Sequence, residues 1–442
     1  MTGPILALVA LALALAWALF LRAGVYPSDW ASTVLFTGAT SLIYFLFVRK
    51  RHLAPLPALW VRCAIWALPC YCAFQLLPLS LGVLRQLSPA RAALATALAP
   101  VLPGLAKAPI AVYPPMALAY LFGLLCYIAT FFLARELGWR FAERPWATAV
   151  PLIVIAALEA VVGLVQVSAG WPNTEATGTF TNRDHFSGML EMVLPLAAIY
   201  GWSILQRRRH RFERSIWPVF QSCLVWAGAV FILVAILYSL SRMGFFVAIV
   251  TLCLVAALTV GPRLPSENLR LVAVAAAALG LLALFIFLPP DQLLARMADL
   301  SASGKLSTDT RIYLWKETLS VINEFRWFGT GLGGFEATFL KYQGTASGFR
   351  VEMAHNDYLQ YLAELGILGF AILVTAIAGV LIPIFRGMLR IQEEDRRLLL
   401  VACVGSFVAI ALHSIVDFNL YIPANAMTLA WIAGVASING LE

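Results

Sequence analysis

Runs of about twenty consecutive apolar residues recur along the whole chain, and this feature limits its fold more than any other. A helix of that length spans the hydrocarbon core of a bilayer. Every backbone amide inside hydrocarbon must find a partner within the protein, which leaves only helices and closed barrels. Long continuous runs of Ala, Leu, Val and Ile lack the alternation of barrel strands. The sequence therefore predicts an all-α polytopic membrane protein, in keeping with 61% hydrophobic and 12% charged residues.

The spacing of these runs predicts about twelve transmembrane helices, with both termini on one side of the membrane. The predicted spans are 3–22, 31–48, 59–79, 114–134, 147–168, 188–205, 218–238, 243–260, 270–288, 366–385, 398–417 and 424–440. We divide the chain into helices 1–5 (1–174), helices 6–9 with arginine-bearing outer loops (175–288), a long outer loop or lid (289–355) and helices 10–12 (356–442).

Basic residues predict the orientation. Most of those in the short connections lie on the side of the two termini, including the segment RRRHRFER at 207–214. Short cytoplasmic loops of inner-membrane proteins collect Lys and Arg, so we expect both termini in the cytoplasm. The net charge of +8 then needs no nucleic-acid partner, since an inner-membrane protein carries this excess for its orientation.

Polar residues that interrupt the apolar pattern collect on the opposite, outer face. The loop TGTFTNRDHFSG brings Asn182, Arg183 and His185 directly before an apolar helix. The hairpin LYSLSRMGFF is so short that Arg242 must sit at the membrane boundary, where an unpaired charge is costly.

The long outer segment adds further polar groups. Its stretch STDTRIYLWKETLSVINEF has the spacing of an amphipathic helix that carries Arg311 and Lys316. The following GTGLGGF, residues 329–335, formally matches a dinucleotide-binding pattern, but that fingerprint requires a βαβ unit that this chain lacks. We predict a tight turn there instead.

The stretch MAHNDYLQYLAELG, residues 353–366, predicts another helix start. Asn356 or Asp357 is a suitable N-cap, and His355 stands just before the first turn. Asp357, Gln360 and Glu364 share one face of this helix, which we expect to lie at the membrane interface.

The outer set of side chains suits a phosphorylated, membrane-anchored substrate. Taken singly, a boundary arginine usually reaches toward lipid headgroups and a histidine before a helix usually caps it. The functional interpretation depends on convergence, because separate segments bring Arg183, His185, Arg242, Arg311 and His355 to one face. Guanidinium groups bind phosphate bidentately, and a histidine can accept a proton at neutral pH. No grouped acidic residues favour a metal, so we expect neither metal nor cofactor.

These motifs resemble a known family. The Arg in SLSRMG, the Arg and Trp in TRIYLW, the glycine turn and HNDYLQYLAELGILG, set among about twelve helices with a long late outer loop, are similar to the O-antigen ligase and polymerase superfamily of bacterial inner membranes. The resemblance covers residues 175–425.

The resemblance implies a metal-independent, inverting glycosyltransferase with its active site facing the periplasm. Its donor would be a glycan on undecaprenyl diphosphate, and its acceptor lipid A-core, a growing glycan or a protein hydroxyl. The family's essential residues fall on Arg242, Arg311 and His355. The further substrate-binding candidates are Asn182, Arg183, His185, Lys316, Asn356 and Asp357.

Ligation of O-antigen onto lipid A-core is the predicted activity, with glycan polymerisation and then protein glycosylation as alternatives. A transporter of the same lipid-linked glycan belongs to another class, as does a non-catalytic scaffold. Transporters usually place charged residues near the membrane midplane and show internal repeats. Here the main acids inside predicted spans are Glu159 and Glu191, and a separate outer pair is formed by His413 and Asp417.

Overall fold

The computed structural model is an α-helical bundle, which confirms the predicted fold class. The described residues are 2–48, 54–98, 100–101, 104–170, 175–210, 215–263, 308–344 and 350–441, with isolated residues at 266, 269 and 280. The predicted span 270–288 and the start of the predicted lid lie almost entirely outside them.

Fifteen α-helices are labelled in chain order within these residues. They are α1 (Thr2–Phe20), α2 (Pro27–Ile43), α3 (Leu59–Gln75), α4 (Leu81–Leu87), α5 (Pro89–Ala97), α6 (Pro114–Arg140), α7 (Val150–Ala169), α8 (Arg183–His210), α9 (Trp217–Tyr238), α10 (Arg242–Val260), α11 (Thr308–Glu324), α12 (Phe335–Phe339), α13 (Asp357–Arg390), α14 (Glu394–His413) and α15 (Pro423–Asn439). Two-residue strands β1 (Leu79–Ser80) and β2 (Lys107–Ala108) pair antiparallel.

Among the described residues, nine helices are long and apolar enough to cross a membrane. Two further predicted spans, 59–79 and 424–440, form the 17-residue helices α3 and α15. Each described apolar run therefore forms a helix close to its predicted position, because the run itself sets the helix length.

Helices α8 and α14 form the centre of the bundle. Their apolar windows are 78% and 72% buried, against 28–39% for the other seven candidate spans. Gly405 of α14 lies so close to α8 and α10 that a Cβ there would sit 3.0 Å from Pro195 and 2.6 Å from Val255. The ends of these central helices are consequently where polar side chains from several elements can meet inside protein.

A small subdomain covers one end of the bundle, and only part of it was expected. An apolar cluster joins Ala90 of α5 to Leu314 of α11, Phe335 of α12, Ala363 of α13 and Ala354 in the segment before α13. The predicted lid is therefore packed against a helical hairpin from the N-terminal region, which sequence patterning had not associated with it.

Helix α13 is broken at Gly366, whose φ of 64° and ψ of −178° lie in a region that only glycine adopts readily. The break frees backbone groups, and the neighbouring loop supplies partners for them. Ile367 N donates to Arg326 O at 2.8 Å, and Thr330 N donates to Ala363 O at 3.0 Å. The loop is thus fixed to α13 by main-chain hydrogen bonds, which satisfies the polar groups at the break.

The segment 329–335 forms the predicted tight turn. Gly329, Gly331 and Gly333 have φ values of 71°, 82° and 70°, which side chains disfavour. The turn brings its backbone against α13, and the glycines serve this close approach.

Candidate functional site

Three histidines surround the carboxylate of Asp417, in the turn that follows α14. The distances are 3.5 Å from His355 Nδ1 to Oδ1, 3.7 Å from His185 Nε2 to Oδ2 and 4.0 Å from His413 Nε2 to Oδ2. The histidines come from α8, α14 and the segment before α13. One carboxylate therefore connects three separate parts of the chain.

The neighbouring histidines determine the charge of Asp417. Burial alone would raise its pKa, but the adjacent histidines hold the pKa well below the usual range of an aspartate. Asp417 Oδ1 also accepts a hydrogen bond from Phe418 N at 3.0 Å. The group is consequently a carboxylate at neutral pH, and the three imidazoles face a negative charge.

His355 is held in a constrained position with one ring nitrogen available. Its φ of 49° is uncommon for a residue with a side chain. Nδ1 faces Asp417, while Nε2 has no hydrogen bond or ion pair with any described residue. The side chain remains 20% exposed, against 3% for Asp417. This arrangement leaves Nε2 accessible as a proton acceptor and Nδ1 supported by a carboxylate.

His185 occupies a related position on the other side of Phe418. The Phe418 ring lies edge-on to both imidazoles, with centroid separations of 4.6 Å to His185 and 4.9 Å to His355. The helix that carries His185 is started by Asn182, whose Oδ1 accepts from Asp184 N at 2.8 Å. Asn182 is therefore engaged in capping α8, and His185 is nearly fully buried.

Asn356 and Asp357 join the start of α13 to the turn after α14. Asn356 is the N-cap of α13, as predicted, and its Nδ2 donates to Ile415 O at 2.8 Å. Asp357 Oδ2 accepts from Ser414 Oγ at 2.7 Å and from Leu420 N at 3.2 Å. Both residues are buried, so they orient the turn that carries Asp417 and are poorly placed to touch a substrate themselves.

The expectation that Gln360 and Glu364 lie at the membrane interface is wrong, because both are buried. Glu364 accepts hydrogen bonds from Tyr421 Oη at 2.7 Å, Gly333 N at 2.8 Å, Gln360 Nε2 at 2.9 Å and Phe335 N at 3.3 Å. A buried polar group needs such partners, and periodicity cannot distinguish a water-facing polar side from one that packs on another loop.

Arg242 is the first residue of α10 and lies close to the start of α8. Ser241 caps α10 by accepting from Gly244 N at 3.2 Å, and Gly244 packs against Ser187, leaving no room for a Cβ. Ser187 follows His185 by two residues. The guanidinium of Arg242 is exposed and forms no ion pair with any residue that the structure describes.

Arg311 approaches the same region from α11. One turn later on that helix, Trp315 Nε1 donates to Ala354 O at 3.1 Å, directly before His355. Residues four apart share a helix face, so Arg311 lies on the side of α11 that faces the His355 turn. Its Nε is buried and has no hydrogen-bond partner in the described part of the chain. Arg311 therefore lies on the helix face that packs toward the His355 turn, with an Nε that is free to bind an anion.

Two other predicted binding residues have their own contacts. Arg183 forms an ion pair with Glu175 at 2.5 Å, so a substrate phosphate would compete with this carboxylate. Lys316 is exposed and lies 5.5 Å from the ring centroid of Tyr313. Neither contact brings them into the histidine cluster.

His413 and Asp417 lie outside the site predicted from the sequence, and so does Phe418. A histidine and an aspartate four residues apart at the end of an apolar run, together with the mid-span acid Glu191, were the available signals. Glu191 pairs with His413, 2.7 Å from its Nδ1. Their significance depends on which helices pack together, which the sequence pattern did not reveal.

Comparison with known families finds one match: residues 227–374 fit the family described as O-antigen ligase. The match includes Arg242, Arg311 and His355, whereas His185 and Asp417 lie outside it. No curated protein matches the chain.

Proposed function

Since its O-antigen ligase domain puts this protein in the O-antigen ligase and polymerase superfamily, we propose that it transfers a glycan from undecaprenyl diphosphate to a sugar hydroxyl at the periplasmic face of the bacterial inner membrane. At family level the domain supports a membrane glycosyltransferase of the ligase or polymerase type. The donor, the acceptor, the side of the membrane and the residue roles below are our proposal.

The observation that carries the proposal is the geometry of His355. Its Nδ1 faces the Asp417 carboxylate at 3.5 Å, and its Nε2 is unpartnered among the described residues. A histidine held this way can accept a proton at one nitrogen while the carboxylate stabilises the resulting imidazolium at the other. Asp417 is then a positioning residue for the base.

In the proposed reaction the acceptor hydroxyl attacks the anomeric carbon of the donor glycan. The bond from that carbon to the diphosphate oxygen breaks, undecaprenyl diphosphate leaves with the bonding electrons, and the hydroxyl proton passes to Nε2 of His355. A single displacement inverts the anomeric configuration. Arg242 and Arg311 bind the diphosphate and offset the charge that develops as it departs, a role suited to permanently charged guanidiniums.

The contacts of Glu159 and Glu191, the main acids inside the predicted spans, favour this reaction over transport. Glu191 is paired with His413, and Glu159 accepts hydrogen bonds from Thr179 N and Oγ1 at 2.5 Å and 3.0 Å. Both acids are therefore engaged within the protein, which weakens the indication that they line a transport path.

For the acceptor we propose lipid A-core, following the family's description as a ligase. Polymerisation would use a growing glycan on a second lipid carrier, and protein glycosylation would use a Ser or Thr hydroxyl. All three acceptors present a hydroxyl to the same base, so the acceptor supplied in an assay distinguishes them.

The test is reconstitution of the purified protein with a lipid-linked glycan and each acceptor in turn. We expect transfer to lipid A-core by the wild type, loss of transfer in His355→Ala, and loss of donor binding in the Arg242→Ala, Arg311→Ala double variant. Arg326→Ala is the matched control, because the exposed side chain of this arginine makes one hydrogen bond to the described residues, from Nη2 to Asn323 Oδ1 at 3.4 Å. Normal transfer by His355→Ala, at normal protein level, would refute the base assignment, and donor movement across the bilayer without transfer would indicate a transporter.

A further inference from the structure

One histidine of the cluster, His413, also belongs to a buried ion pair that the proposed reaction does not use. Glu191 of α8 and His413 of α14 meet at 2.7 Å between Oε1 and Nδ1, with both side chains at most 1% exposed. Ionisable groups inside a membrane protein are costly to bury and are usually retained for a function. This pair sits in the two helices that form the centre of the bundle.

The pair is connected to His355 through the two oxygens of one carboxylate. His413 Nε2 lies 4.0 Å from Asp417 Oδ2, and His355 Nδ1 lies 3.5 Å from Asp417 Oδ1. Glu191, His413, Asp417 and His355 therefore form a continuous series of titratable groups from the interior to the partly exposed base. His185 joins it as a branch, 3.7 Å from Oδ2.

We propose that Glu191 and His413 are positioning residues that control how strongly Asp417 supports a proton on His355. This inference rests on the proposed function, in which His355 is the base. When Glu191 offsets the charge of protonated His413, the negative charge of Asp417 remains available to His355 and His185. The interior pair thereby sets the strength of the base without touching the substrate.

Other titratable groups face the same series from the elements packed around it. Asp184, at the start of α8, interacts electrostatically with Glu191 and His413. Asp357, at the start of α13, does so with Asp417 and His413. Both aspartates are present in every variant below, so differences between variants report the Glu191 and His413 changes.

Opposite charges in the interior pair lead to opposite expected shifts. In Glu191→Gln, protonated His413 loses its carboxylate partner, and Asp417 offsets its positive charge instead. Asp417 then stabilises a proton on His355 less strongly. In His413→Gln, the negative charge of Asp417 faces only two imidazoles, those of His355 and His185. Asp417 then stabilises a proton on His355 more strongly. Asp417 lies between the changed pair and His355, so we expect the titration midpoint to shift by about 0.5–1 pH unit, less than an adjacent charge would cause, downward in the first variant and upward in the second.

The experiment measures the pH dependence of His355 carbethoxylation by diethylpyrocarbonate, which reacts with the neutral imidazole. The full-length protein is modified in detergent and the peptide containing His355 is quantified by mass spectrometry. Glu159→Gln is the control, because this buried acid binds Thr179 and has no histidine partner among the described residues. Glu191→Asp keeps the carboxylate and should retain the wild-type midpoint.

A second readout is the pH at which glycan transfer falls to half its maximum on the acid side. We expect it to move with the carbethoxylation midpoint in each variant. Unchanged midpoints in both Glu191→Gln and His413→Gln, or shifts in the same direction, would overturn the inference, since a packing role alone lowers the amount of folded protein. Shifted carbethoxylation without any transfer by the wild type would instead remove the proposed function and leave the coupling intact.

Discussion

Replacing Asp417 by Asn is the most informative single change to the proposed site. The side chain keeps its shape but loses the negative charge that faces His355 Nδ1 at 3.5 Å, His185 Nε2 at 3.7 Å and His413 Nε2 at 4.0 Å. If Asp417 supports a proton on His355 as transfer proceeds, its charge matters more in the transition state than in the bound substrate complex. The variant should therefore lower kcat and leave KM for the donor nearly unchanged.

The magnitude follows from the separation of the two groups. Unit charges 3.5 Å apart attract by about 4.7 kcal/mol at an effective dielectric constant of about 20. His355 is 20% exposed and shares the carboxylate with two other imidazoles, so we expect about half of this to be lost. A loss of about 2–3 kcal/mol of transition-state stabilisation corresponds to roughly a hundredfold decrease in kcat.

The assay is initial-rate glycan transfer by purified protein in detergent, with donor and acceptor varied separately. Glu352→Gln is the matched control, because this exposed carboxylate lies three residues before His355 and, among the described residues, forms its ion pair with exposed Arg350. Wild-type kcat in Asp417→Asn, with normal folding, would refute the support of the base by Asp417. A rise in KM at constant kcat would contradict it as well, since it would indicate a role in substrate binding.

Three further outcomes follow. The pKa of Asp417 is held well below its usual range, so its carboxylate stabilises the fold at neutral pH and this contribution is lost only as the pH falls below about 4. The Tm deficit of Asp417→Asn should accordingly be full near pH 7 and shrink in acid. Gly366→Ala should destabilise the protein by about 3 kcal/mol or more in detergent unfolding. The reason is that a Cβ would lie 2.5 Å from both Gly329 N and Trp327 O. Gly82→Ala is the control, because a Cβ there meets no neighbour within 4 Å, and it should be neutral. Transfer should persist in excess EDTA, since the proposed reaction uses guanidinium groups to stabilise the leaving diphosphate; loss of activity restored by a divalent cation would contradict this.

The apolar runs predicted the helices correctly because their cause is local. A stretch that must satisfy its own amides in hydrocarbon has few conformations available, and its length sets the helix bounds. The cap at Asn356 and the glycine turn at 329–335 were predictable for the same reason, since each depends on residues a few positions apart. The sequence motifs also predict Arg242, Arg311 and His355 as site residues, and all three fall within the matched O-antigen ligase segment.

Only the tertiary structure decided which polar groups meet. Periodicity indicated that Gln360 and Glu364 share a helix face, but not that this face packs on a loop and on Tyr421. Asp417 is 62 residues from His355 and 232 from His185. No local pattern indicates that the starts of α8 and α13 meet the end of α14. The side chains form a cluster because a buried carboxylate requires nearby positive or donating groups, and helix packing determines which histidines can supply them.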